Sequence, residues 1–209
     1  GKTSQGASSL AIGNTAGQSN QSANSIALGL EAGKSNQGAS SLAIGNTAGQ
    51  ANQGANSIAL GTNAATTGQG LSSIAIGNGA GNANQEQYSI SIGHAAGQTD
   101  QSNNSIAIGY SAGHSNQDIS AIAIGINAGQ TNQSQGGIAI GYSSGNNTQG
   151  ASSLAIGSDT GQINQGAGAV ALGLNSGNNT QGASSVAIGN AAGQSNQSTN
   201  AIALGLEAG

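Results

Sequence analysis

The sequence predicts an all-β parallel β-solenoid of thirteen 16-residue turns, and three observations carry that reading. A five-residue string recurs every 16 residues with no insertion or deletion. Its residues alternate large and small, the period-2 signature of a short strand. Fixed Gly and Gln columns punctuate the rest of every turn. A period of this length, held throughout, marks stacked repeats rather than a three-dimensional core.

With Ser9 as position 1, the string runs from SLAIG at Ser9 to AIALG at Ala201. Position 2 is Ile, Leu or Val and position 4 is Ile or Leu in every turn. Position 3 is Ala except for Ser91. One strand face is therefore aliphatic and the other is nearly pure Ala. Two large aliphatics per turn are counted as buried, and copies of the chain are expected to cover whichever face is left outside. At about 4.8 Å per turn the array would measure about 62 Å.

Position 5 is always Gly, including Gly13, Gly29, Gly45 and Gly61, and these read as corners that need positive φ or close backbone approach. Position 9 is Gly except for Ala65, so two glycine corners bracket a short bend. Position 13 is Gln in all turns, among them Gln21, Gln37, Gln53, Gln69, Gln85, Gln101, Gln117 and Gln133. At the spacing of stacked strands, identical amides hydrogen-bond along a ladder. That column is read as a structural ladder, with a repetitive ligand-binding stripe as the alternative. Positions 6, 7, 10 and 11 vary and are expected to face outward. The bulkiest choices fall at position 6, in Leu30, His94, Tyr110, Ile126, Tyr142, Leu174 and Leu206, and that column is the candidate partner-facing surface.

Composition excludes several classes of function. Of 209 residues, 38 are Gly and only three are aromatic, too few large side chains for a conventional globular core. Charged residues are 4%, against about 25% in typical domains, and Lys2 and Lys34 are the sole bases. That leaves no electrostatic footprint for nucleic acid. No apolar run approaches the roughly 20 residues that span a bilayer, so no membrane insertion is expected in this segment.

The motifs that suggest chemistry fail on spacing. Gly29 to Ser35 ends in GKS, but it has three residues between its glycines where a phosphate loop needs four. His94 and His114 occupy different repeat positions and cannot stack into a metal pair. The six acids are scattered, so neither a calcium turn nor a carboxylate pair recurs. No enzyme, cofactor or metal is expected. Sequons such as Asn20-Gln21-Ser22 are frequent by composition alone and would matter only on a secretory route.

The string NSIAIG at Asn104–Gly109, with NSIALG at Asn24 and Asn56, resembles the head repeat of trimeric autotransporter adhesins of the YadA type. It is also similar to repeats in phage and giant-virus fibre proteins. The resemblance covers every turn, although the Asn-Gln segment makes the turns longer than the family's. It implies a left-handed β-roll, three chains side by side or a filament, and a cell- or virion-surface location. It also implies a role as an extracellular rod that presents or spaces binding surfaces, with a host surface or matrix component as possible ligand. The alternative is an ice-binding or ice-nucleating solenoid, since bacterial ice nucleators share the 16-residue period. Threonine here is sporadic, which weighs against it. Residues 1–209 read as one continuous array, and both ends fall at position 9 without a polar cap, so an excerpt of a longer array or an end-stacking subunit is expected.

Overall fold

The computed structural model describes residues 3–209 and has the all-β parallel solenoid architecture, two three-residue strands to each 16-residue turn. Gly1 and Lys2, the start of the array and one of its two bases, lie outside the described residues. The chain divides into two compact units, Gly1–Asn104 and Ser105–Gly209. In both, positions 2–4 form an aliphatic strand and positions 11–13 a glutamine strand.

Within the first unit, aliphatic strands from Leu10–Ile12 to Ile90–Ile92 pair in parallel with like positions opposite, as in Ile26↔Leu42 and Ala27↔Ala43. The glutamine strands do the same, with Ser19↔Ser35 and Gln21↔Gln37. The second unit repeats both series, with Ile106↔Ile122 and Gln117↔Gln133. Each paired step is a 16-residue offset, which is the sequence period expressed as strand register.

The interior is where the structure corrects the sequence reading. Ala at position 3 is fully buried in strand after strand, including Ala27, Ala43, Ala107 and Ala123. The aliphatics beside it point outward, and Leu28, Leu60 and Leu172 are about 40% exposed. The two large aliphatics of each turn are thus not the core of the single chain. Ala and Ser at positions 3, 8 and 1, Gly at position 9 and the Gln side chain fill it instead. The cause is the width of the turn. The two strands lie one glutamine side chain apart, a gap that Ile or Leu on the facing strand would overfill.

The corner geometry explains the fixed Gly. Gly45 has φ +132, and a Cβ there would lie 2.5 Å from the carbonyl oxygen of Gly61 in the next turn. Glycine is not alone in the left-handed region. Positions 7, 12 and 16 also have φ near +55, occupied mainly by Asn, Ser and Thr, as at Asn20, Asn24 and Thr47. Asn is the side chain most tolerant of that region, which accounts for its dominance at position 12.

Candidate functional site

Three columns could carry function: glutamines, exposed amides and outward aliphatics. The glutamines face inward. Gln21, Gln37, Gln53, Gln69, Gln85, Gln101, Gln117 and Gln133 are each at most 3% exposed. Each Nε2 donates to the position-2 carbonyl of its own turn, for example Gln37 to Ile26 at 2.7 Å and Gln133 to Ile122 at 2.7 Å. It also donates along the stack in places: Gln117 to Gln133 Oε1 at 3.1 Å, then Gln133 to Gln149 Oε1 at 2.9 Å. The residues chosen from sequence therefore tie one strand to the other across the interior. A ligand-binding stripe needs accessible amides, which these are not.

Several of these amides are only half satisfied. The Oε1 atoms of Gln21, Gln37, Gln53, Gln69, Gln165 and Gln197 are buried without a partner. Ser91, the sole exception in the Ala column, shows what a partner looks like. Its Oγ donates to Gln101 Oε1 at 2.5 Å and accepts from Gln85 Nε2 at 3.2 Å.

The outward amide ladder is at position 12. Asn20 Nδ2 donates to Asn36 Oδ1 at 3.0 Å, and Asn36 Nδ2 to Asn52 Oδ1 at 3.0 Å. Asn84 continues the pattern onto Asp100 at 2.9 Å, and Asn116 onto Asn132 at 3.0 Å. A second polar row runs along the bend, where position-10 asparagines donate to position-7 carbonyls of the preceding turn, as Asn82 to Asn63 and Asn146 to Asn127. The variable Glu31 is held there too, paired with Lys34 Nζ at 3.2 Å and hydrogen-bonded by Gln50.

The aliphatic strand presents the outward apolar surface. Positions 2 and 4 form two parallel columns of Ile, Leu and Val along each unit, half-buried to exposed throughout. None of the eight charged residues falls at positions 1–6 of any turn. A contiguous apolar surface rimmed by polar residues is the kind that marks an interaction face.

Position 6 lies two residues beyond this strand, so its Cα is within about 7 Å of position 4. Leu30, His94, Tyr110, Ile126, Tyr142, Leu174 and Leu206 are all exposed, with Tyr110 and Tyr142 at 54%. Position 7 departs from expectation only where its residue is small: Gly79, Ala95, Ser111 and Ser143 are buried, whereas Asn63 and Glu207, with the same left-handed φ, are exposed. Sequence reasoning also missed exposed bulk at the opposite bend, where Leu71, Tyr88 and Ile119 lie at positions 15 and 16. Their size against the usual Ala, Asn or Ser at those positions was the available signal.

Among the described residues, no three His, Cys, Asp or Glu side chains gather as a metal site, and no helix is long and apolar enough to cross a membrane. A surface hollow lined by Ser4, Gln5, Gly6, Asn20, Gln21 and Ser22 holds no charged group. No protein-family model matches the chain, and no curated protein matches it.

Proposed function

We propose that this chain is a structural fibre module whose copies lie side by side with their aliphatic strands facing one another. The single observation that carries this reading is the outward pair of Ile/Leu/Val columns, uncharged and unbroken along each unit. In one copy these side chains meet water; against another they are removed from it, at about 25 cal/mol per Å² of apolar surface. The resemblance to YadA-type head repeats and viral fibre repeats favours a parallel trimer or filament displayed outside a cell or virion, as an adhesin or spacer.

The polar faces then remain outside. Position 6, with its exposed Tyr, Leu and Ile, borders the buried surface and is the place for a host-surface or matrix ligand. The ice-binding alternative calls for a flat outward array of threonines. On the outward glutamine-strand face, Thr holds position 11 in only four turns, Thr3, Thr67, Thr99 and Thr131, so the fibre reading is preferred.

Light scattering on the wild-type chain and on Ile122→Thr/Ile124→Thr tests the proposal. Both residues are already half in water, so the variant keeps its β-sheet circular dichroism. Its self-association weakens by at least about tenfold, the equivalent of roughly 1.4 kcal/mol. A wild-type chain that stays a monodisperse monomer at high concentration would sink the reading.

A further inference from the structure

The repeated face has a property that bears on how copies would align. Interfaces fix register through differences along their length: a polar residue in one layer, a bulge, a change of size. The aliphatic columns offer almost none. Ile106 and Ile108, Ile122 and Ile124, and Ile138 and Ile140 form three consecutive turns with identical pairs, paired strand to strand with like opposite like. Sliding one copy along another by a single turn there exchanges Ile for Ile. The remaining turns differ only among Ile, Leu and Val. Beneath them the Ala column adds no outward feature, and no charge stands at positions 1–6 to penalise a mismatch.

We infer that the occupant of this face is a second copy of the chain bound at any of several whole-turn offsets, so that the face encodes adhesion without encoding register. This rests on the proposed self-association. A slip by one turn keeps every internal layer and loses only the overlap of one turn at an end. Neighbouring registers therefore differ only by that overlap, two half-buried side chains per copy, and in a growing assembly the turn that one neighbour leaves uncovered is covered by the next. A staggered pair leaves uncovered aliphatic turns at both ends, which accept further copies. Contacts of this kind do not close on themselves, and the product is an open filament rather than a closed ring. In a larger assembly, register would then have to come from residues other than these columns.

Two measurements on the full chain test this together. Sedimentation follows mass against concentration, and staggered growth gives a mass that keeps rising with no plateau. Cysteine pairing reads the offset directly, because the chain has no Cys of its own. Chains carrying Ile106→Cys are co-expressed with chains carrying Ile138→Cys, two turns or about 9.6 Å apart along the stack. A disulfide needs Cα atoms within about 7 Å, so in-register packing cannot join the two sites and a two-turn slip can.

The expected result is a 106–138 disulfide formed alongside the same-site one, together with open-ended growth. A plateau at a small whole number of chains overturns the inference and leaves self-association standing. Growth with same-site disulfides alone also overturns it, since that growth would be end-to-end stacking in one lateral register. A monomer at every concentration removes both the inference and the function it rests on.

Discussion

Buried glutamine is the residue that most distinguishes this interior. A buried amide stabilises only when its donors and its acceptor are all met, and an orphaned buried group costs about 1–3 kcal/mol. Here each Nε2 makes at least one hydrogen bond in every interior turn, while the acceptor is met in only some of them. Gln53 is a clear case: its Nε2 reaches Leu42 O at 2.8 Å, and its Oε1 is buried with no partner. Ser91 fills that vacancy for Gln101 from position 3 of the same turn. Ala43 is the equivalent of Ser91 in the turn of Gln53, and it is fully buried. Ala43→Ser is therefore expected to stabilise the chain, by about 0.5–1.5 kcal/mol, against the usual rule that a buried polar substitution destabilises. Denaturant midpoints of the two proteins decide it, and an unchanged or lower midpoint would show that the native Oε1 was never short of a donor.

At the scale of the strand, inside and outside are set by width rather than by hydrophobicity. Ala123 and Ile124 are neighbours, yet the small one is sealed in the interior and the large one looks out. Ala123→Val should then cost about 1–3 kcal/mol through overpacking against the glutamine strand. Ile124→Val should cost less than about 1 kcal/mol in the single chain, for one half-exposed methylene. If the two costs came out reversed in thermal melts, the assignment of faces would be wrong. This contrast also marks how far the sequence could be read. The period, the two strands and the Gly45-type corners follow from spacing and alternation, which are visible in the letters. Which face turns inward depends on the distance between the strands, and that distance is fixed by Gln37 or Gln133 reaching across to a backbone carbonyl. Nothing in the pentad itself states it. The left-handed Asn20 and Asn24 were legible in principle, since Asn favours that region, but their neighbours do not distinguish them from ordinary polar turn residues. The exposure of position 6 was legible from bulk and variety, whereas Tyr88 and Ile119 at the other bend were lost among small residues.

For the whole molecule, the proposed association would have a thermodynamic character that can be told from an electrostatic one. The chain carries two bases and six acids, with none at positions 1–6, so the surface proposed to join copies has no charge to pair or to repel. The Glu31–Lys34 pair is three residues apart on the bend and links nothing across the aliphatic face. Simple salt screens charges beyond about 8–10 Å and does little to apolar contact, so sodium chloride from low to physiological strength should change the association constant by less than about twofold. Sulfate is excluded from apolar surface and strengthens its burial, and it should tighten association several-fold at equal ionic strength. Cooling acts in the opposite sense, because apolar burial weakens as temperature falls, and filaments should shed copies in the cold. Light scattering across the two salts and a temperature ramp measures all three responses. Steep loosening in sodium chloride, with no gain in sulfate, would move the contact off the aliphatic columns and onto the polar bends.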